Sequence, residues 1–161
     1  MPKNKLLIIL GEGGHTTELL KLVDLLGDKF YYSYILTEED NISAYHINIP
    51  GPMYKLKRPR GKTTKNIPAI LNMMNVTLNS ITIIKRCKPK AILSSGPAIA
   101  VPVSIVGKLL GIKIIFIETG SRVKKLSLTG RIMYHFADLY FIQWPHLKKK
   151  APRAIYAGRL I

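Results

Sequence analysis

The sequence predicts an α/β protein, a parallel sheet with helices on both faces. Three observations carry that prediction. Short apolar runs bounded by glycine or proline alternate with segments of helical periodicity along the chain. The first run ends in a glycine loop, Gly11-Glu12-Gly13-Gly14-His15, that opens straight into a helical pattern. A second strand-turn-helix passage, through Ser94-Ser95-Gly96-Pro97, repeats that layout in the second half.

Each element has its own signal. Lys5–Leu10 is a short apolar run and reads as a buried strand. Thr16–Leu26 carries apolar residues at 19, 20, 22, 23, 25 and 26, and Gly27 stops it as a helix. Tyr31–Thr37 is aromatic and β-branched, a second strand, broken by Glu38-Glu39-Asp40. Tyr45–Ile49 reads as a third strand ended by Pro50-Gly51-Pro52. Met53–Lys65 reads as a loop, because six basic residues crowd positions 55–65 around Pro59 and Gly61. Asn66 then caps a helix with Pro68 in its first turn. Ile67, Ile70, Leu71, Met74, Leu78, Ile81 and Ile84 form its apolar stripe, expected to face the core.

The second half keeps the rhythm. Ala91–Leu93 is a strand, Ala98–Leu110 an apolar helix stopped by Gly111, and Lys113–Ile117 a strand. A polar loop, Glu118–Lys125, leads to a helix over Ser127–Phe136 and a strand over Leu139–Gln143. Pro145–Lys150 is short and basic, and Ala154–Tyr156 is a last strand.

The totals bound the possibilities. A chain of 161 residues fits one domain, residues 1–161, and 47% hydrophobic residues supply its core. One cysteine, Cys87, excludes an intramolecular disulfide framework and a multi-cysteine zinc site. His46, His135 and His146 show no metal-ligand spacing, so no metal and no cofactor is expected. No signal peptide is visible, and no run reaches the roughly 18 apolar residues of a membrane-spanning helix.

Charge is the strongest bulk signal. The net charge is +16, and seven of the nine acids precede residue 41. Residues 41–161 hold 21 Lys and Arg against Glu118 and Asp138, a net +19. Such a surface calls for an anionic partner: nucleic acid, lipid head groups or a phosphorylated substrate. Nucleic acid is the weakest of these, since the basic residues are not interleaved with stacking aromatics and no RNA or DNA motif appears.

Several turns are candidates for chemistry. Free N–H groups at a helix start favour an anion, which makes Gly11, Gly13, Gly14 and Thr16 candidate ligands; a plain strand-to-helix turn is the alternative. A dinucleotide fingerprint needs a third glycine where Thr16 stands, and Gly61-Lys62-Thr63 lacks the upstream glycine of a P-loop, having Leu56 there. His15 stands at the helix mouth, where the dipole disfavours imidazolium, as a proton acceptor or merely as a cap. Ser95 and Gly96 form a second turn suited to an anion or to structure alone. Glu118 follows a strand at the ligand-facing edge, a candidate general base or the partner of Arg122 or a lysine.

Read together, these pieces resemble a known family. The set is Gly11-Glu12-Gly13-Gly14-His15-Thr16-Thr17-Glu18, Ser94-Ser95-Gly96-Pro97 with Val101-Pro102, Phe116-Ile117-Glu118 with Arg122-Val123, Leu126-Ser127-Leu128-Thr129-Gly130, Ala137-Asp138, Gln143-Trp144-Pro145 and Tyr156-Ala157-Gly158-Arg159-Leu160. In this order it resembles the acceptor-side, membrane-recruiting subunit of the two-subunit UDP-N-acetylglucosamine transferase of dolichol-linked, asparagine-linked glycosylation.

The resemblance implies a Rossmann-like sheet similar to the N-terminal half of a GT-B glycosyltransferase such as the peptidoglycan lipid-intermediate transferase. It implies a subunit inactive alone, with a separate nucleotide-sugar-binding catalytic subunit as partner. Together they would add a second GlcNAc to polyprenyl (dolichyl) diphosphate-GlcNAc, β-1,4 and with inversion. An upstream membrane sugar-phosphate transferase is a further implied partner. Within this frame His15 and Glu118 are the candidate bases. Gly11, Gly13, Gly14, Thr16, Ser95, Gly96 and Arg122 are the diphosphate ligands, and Arg159, Leu160 and Ile161 the partner contacts. The basic residues Lys55, Lys57, Arg58, Arg60, Lys62 and Lys65 would lie on an anionic membrane surface, at about 1 kcal/mol each.

Two departures matter. Family loops carry a small residue where this chain has Glu12, and a carboxylate facing a diphosphate repels it by about a few kcal/mol. Eukaryotic relatives carry an N-terminal membrane anchor, and here the first strand begins near Lys5, so attachment to the cytoplasmic face of a membrane is expected to be peripheral. A split exopolysaccharide transferase with another sugar, and a basic nucleic-acid-binding module, are the alternatives.

Overall fold

The computed structural model describes residues 3–11, 13–57 and 67–160, with backbone only for 67–72. Seven strands form one sheet: β1 (Lys5–Ile9), β2 (Tyr31–Thr37), β3 (Met53–Leu56), β4 (Ala91–Ser94), β5 (Lys113–Ile117), β6 (Leu139–Ile142) and β7 (Ile155–Tyr156). Their order is β3-β2-β1-β4-β5-β6-β7, and every neighbouring pair is parallel. Four helices connect them: α1 (Gly14–Leu26), α2 (Ile67–Cys87), α3 (Ala100–Leu109) and α4 (Leu128–Met133).

Strand alternation sorts the core into two layers. On one face Leu6, Ile8 and Leu10 of the first strand and its exit join Tyr32, Tyr34 and Leu36 of β2 against Leu19, Leu20 and Val23 of α1. On the other, Leu7, Ile9, Ile35, Ile92, Ile114 and Phe116 pack with Val76, Ile83 and Ile84 of α2, Val103 and Val106 of α3, and Met133 of α4. The split follows from topology. A right-handed crossover puts α1, which steps from β1 toward β2, on the face opposite to α3 and α4, which step the other way.

The third strand lies elsewhere than the sequence predicts. Residues Ser43–His46 form a 3₁₀ turn, and the strand is Met53–Leu56, beyond the prolines. The Pro50–Pro52 passage is bound to β2 instead: Tyr34 donates its hydroxyl to Ile49 O at 2.7 Å and its N–H to Pro52 O at 2.8 Å. A side chain at Gly51 would lie 2.1 Å from Tyr32 O. β3 escaped the sequence reading because it is an edge strand that buries only Leu56, leaving Lys55 exposed like a loop residue.

The α2 stripe also differs. Its buried line is Val76, Ser80, Ile83, Ile84 and Cys87, whereas Met74 and Leu78 are exposed at 57% and 62%. The predicted seam had joined two faces of the helix. Helix α4 is shorter than expected, with Ser127 as its N-cap accepting from Gly130 N at 2.8 Å.

Candidate functional site

In the order β3-β2-β1-β4-β5, the connections leaving β1 and β4 depart in opposite directions. That switch point lies at the carboxyl ends of the strands, the place where such sheets bind ligands. The Gly11–His15 loop leaves β1 there, and the Ser95–Pro97 turn leaves β4 beside it.

The two turns are built against each other. Ser95 donates its hydroxyl to His15 O at 3.0 Å, and the His15 ring contacts Ser95 O through Nδ1 at 2.7 Å. A carbonyl only accepts, so Nδ1 carries the hydrogen, which leaves Nε2 as the second ring nitrogen, turned away from Ser95. Gly96 has φ +124°, and a Cβ there would sit 2.9 Å from His15 Cε1. At Gly11 a Cβ would meet Pro97 Cβ at 2.8 Å. Both glycines are therefore required by close approach between the loops. Gly13 (φ +69°) caps α1, and Gly13 and Gly14 are exposed with open space beside them. The first turn of α1 carries no acid among the described residues.

Other predicted ligands fall differently. Thr16 is buried, its hydroxyl 3.2 Å from Ser43 Oγ and its N–H bonded to Gly13 O at 3.0 Å. It shapes the helix start instead of facing a ligand. Ser95 is fully buried, so it acts through His15. Arg122 is exposed, and its N–H closes a turn onto Thr119 O at 3.0 Å. Lys55 in β3 and Lys57 just after it are exposed; Glu12, Arg58, Arg60, Lys62, Lys65 and Ile161 lie outside the described residues.

Glu118 is a correction. It continues the alternation of Ile114 and Phe116 toward the α4 face, away from α1, and is 0% exposed. Its Oε2 accepts from Ser127 N and from Tyr140 Oη, both at 3.0 Å, and Oε1 is buried without a partner. Among the described residues, neither Arg122 nor a lysine is bonded to it. Gly130 exists for this carboxylate: a Cβ there would lie 1.9 Å from Oε2. Burial, and then the Glu118 charge, hold the Tyr140 phenol well above its usual range. A carboxylate so enclosed orders the loop between β5 and α4 and has no reach to a sugar hydroxyl.

The carboxylate that does enter the site region is Glu18, three residues after His15 on α1. It is 5% exposed and accepts from Thr119 Oγ1 at 3.0 Å, Gly120 N at 2.8 Å and Gln143 Nε2 at 3.3 Å. Sequence reading passed over it as one letter of the glycine motif. The available signal was an acid at i+3 from His15 among residues that pattern as the buried side of a helix. Leu160 and Arg159 lie close by: Leu160 N donates to Gln143 Oε1 at 2.9 Å, and the Arg159 guanidinium sits 4.8 Å from the Trp144 ring centre.

No group of three or more metal-binding side chains occurs among the described residues, and no helix among them is long and apolar enough to cross a membrane.

This sheet order, with its switch between β1 and β4, is that of one half of a GT-B enzyme. MurG of Acinetobacter baumannii superposes with a TM-score of 0.75 at 18% identity, over 98% of this chain and 44% of that one. UDP-N-acetylglucosamine 2-epimerase of Rickettsia bellii gives 0.73 at 16% identity, over 99% and 46%. The chain thus spans less than half the length of these two enzymes. At the level of sequence, residues 6–160 match the family described as "Oligosaccharide biosynthesis protein Alg14 like", and the chain belongs to that family. Similar relatives are the UDP-N-acetylglucosamine transferase subunits ALG14 of Mus musculus, 33% identical over 98% of this chain and 83% of its own length, and of Schizosaccharomyces pombe, 35% identical over 95% and 81%.

Proposed function

We propose that this chain is the acceptor-side subunit of a split UDP-N-acetylglucosamine transferase acting at the cytoplasmic face of a membrane. Residues 1–161 make up one acceptor-binding domain, inactive until a separate catalytic subunit brings UDP-GlcNAc. The observation that supports the reading is the His15–Ser95 clasp at the switch point, which engages Nδ1 and leaves Nε2 for the substrate.

The diphosphate of polyprenyl-diphosphate-GlcNAc lies at the exposed Gly13–Gly14 start of α1 and near the Gly96 turn, with Arg122 as a further cation. The 4-hydroxyl oxygen of the acceptor sugar attacks the donor's anomeric carbon. The bond to UDP breaks with its electron pair leaving on UDP, and the hydroxyl proton passes to His15 Nε2. One displacement inverts the anomeric centre and gives the β-1,4 link. Glu118 takes no proton in this scheme. Lys55, Lys57 and the basic residues after them hold the chain against anionic lipid, and Arg159 to Ile161 meet the catalytic subunit.

Reconstitution with the catalytic subunit, lipid-linked GlcNAc and a panel of sugar nucleotides tests this. We expect turnover only with both subunits and with UDP-GlcNAc, and a fall of about 100-fold or more in His15→Ala. Turnover by the chain alone, or His15→Ala within about twofold of the wild type, overturns the reading. Preference for another sugar nucleotide moves the pair to a different polysaccharide pathway.

A further inference from the structure

The site described so far leaves Gln143 unused, and its surroundings assign it a role. Gln143 leaves β6 on the α1 face, continuing the alternation of Phe141. Its amide is engaged at both ends. Oε1 accepts from Leu160 N at 2.9 Å, and Nε2 donates to Glu18 Oε2 at 3.3 Å and to Glu118 O at 3.2 Å. Glu18 in turn holds Thr119 and Gly120 through its other oxygen. Gln143 and Glu18 are 3% and 5% exposed, so these bonds are shielded from water.

The segment after β7 is fastened at two further points. Leu160 packs against the α1-side core, and Arg159 stacks on Trp144, whose Nε1 donates to Gly120 O at 2.7 Å. Gly120 is therefore bound from both directions, by Glu18 on α1 and by Trp144 beneath Arg159. A Cβ there would press on both Glu18 Oε1 and Gln143 Oε1, at 3.2 Å from each, so those two side chains would have to give by a few tenths of an ångström.

We propose that Gln143 and Glu18 are positioning residues that join the segment Arg159–Leu160 to helix α1, so that a partner chain gripping that segment is coupled to the helix that carries His15. The inference rests on the reading that a catalytic subunit docks there. The amide polarity makes it directional: Gln143 must present oxygen to Leu160 and nitrogen to Glu18, and position 18 must offer two acceptor oxygens, one to Gln143 and one to Thr119 and Gly120, which a carboxylate has and an amide lacks. Seating the segment thus orders the side chain of α1 one turn from the base.

A swap of the two groups tests this on the full chain. Gln143→Glu places a carboxylate against Glu18, and Glu18→Gln faces one amide nitrogen with another. The double variant Glu18→Gln/Gln143→Glu restores a donor opposite an acceptor between positions 18 and 143, without the bond to Glu118 O. Hydrogen exchange at the Leu160 amide and the ¹⁵N spectrum of the His15 ring are read for each, with thermal unfolding to show that the sheet is intact. We expect Leu160 exchange to quicken about tenfold in each single variant and to be slower in the double than in either single, short of the wild-type rate because the bond to Glu118 O stays lost. Adding the catalytic subunit should alter the His15 ring signals of the wild type and double variant, but not those of Gln143→Glu.

The partner reading is tested separately by Arg159→Glu. If that variant loses the catalytic subunit while Leu160 exchange is the same in all three swap variants, the joining role is wrong and the docking reading stands. If exchange follows the swap but Arg159→Glu binds the subunit normally, the link between segment and helix stands and its use by a partner is refuted. Identical His15 responses in the wild type and Gln143→Glu also refute it.

Discussion

His15 and Ser95 stand 80 positions apart in the sequence and hydrogen-bond to each other twice, ring to carbonyl and hydroxyl to carbonyl. The pair makes one rigid corner from two loops. A ring held at Nδ1 by a carbonyl is fixed in both orientation and tautomer, which is what a base at a switch-point crevice requires.

Gly96→Ala should break that corner without unfolding the sheet. The new Cβ meets His15 Cε1 at 2.9 Å, and the backbone stays at φ +124°. We expect a stability loss of about 1–3 kcal/mol and, in the reconstituted enzyme, a drop in kcat of about 100-fold. Circular dichroism melts paired with kcat separate the two effects.

Gly130→Ala should be among the more damaging single changes outside the crevice. Its Cβ would lie 1.9 Å from Glu118 Oε2 and 2.7 Å from Tyr140 Oη. Overpacking costs about 1–3 kcal/mol or more. Shortening the acid in Glu118→Ala/Gly130→Ala should return part of that loss, so the double-mutant cycle in denaturant melts should be non-additive.

Asp138 should support stability above the carboxylate range and lose its effect in acid. Burial opposes its ionisation, but the Lys108 hydrogen bond at 2.7 Å, the Ile114 N–H at 2.8 Å and the Lys113 charge together hold its carboxyl below the usual value. Its contribution is complete above the unfolded value of about 4 and fades as pH falls through the folded one. Asp138→Asn should cost about 1–2 kcal/mol at neutral pH, with the gap from wild type narrowing below about pH 4.

The alkaline side has the opposite sign. Burial, foremost, keeps the phenols of Tyr34 and Tyr140 protonated above their usual range. The unfolded chain releases those protons near pH 10, so stability falls as pH rises past that point. Tyrosinate absorbance of the folded protein should stop short of the value for all 8 tyrosines and complete itself only on unfolding.

Lys55→Glu/Lys57→Glu should weaken binding to anionic vesicles by about tenfold or more at low salt and spare binding to neutral ones, as expected for roughly 1 kcal/mol per basic residue at the surface. Co-sedimentation reads this directly. Binding to DNA stronger than to vesicles, at matched salt, would instead favour the nucleic-acid reading.

Most of the layered fold was legible because buried parallel strands announce themselves as apolar runs, as in residues 6–9, 34–36 and 114–117. Edges were not. β3 hides one leucine among basic and exposed residues, and only its pairing with β2 makes it a strand. In the candidate site, the glycine turns beside His15 were legible as turns because backbone constraints show in composition. Glu118 and Glu18 could not be ranked, because the two faces of the sheet are assigned by register and crossover hand. One position's shift in parity separates an acid beneath α4 from one beside the crevice.

The sheet order also has a consequence for how the molecule is made. β1 pairs with β2 on one side and with β4 on the other, and β4 begins only at Ala91. While the chain is being synthesised, one edge of its central strand must therefore wait through two connections and a 21-residue helix before it is closed. An apolar parallel edge left open for that interval invites pairing with a neighbouring nascent chain. The price of placing the crevice between the first and fourth strands is a vulnerable half-built sheet, and shielding during synthesis becomes part of what this sequence needs in order to work.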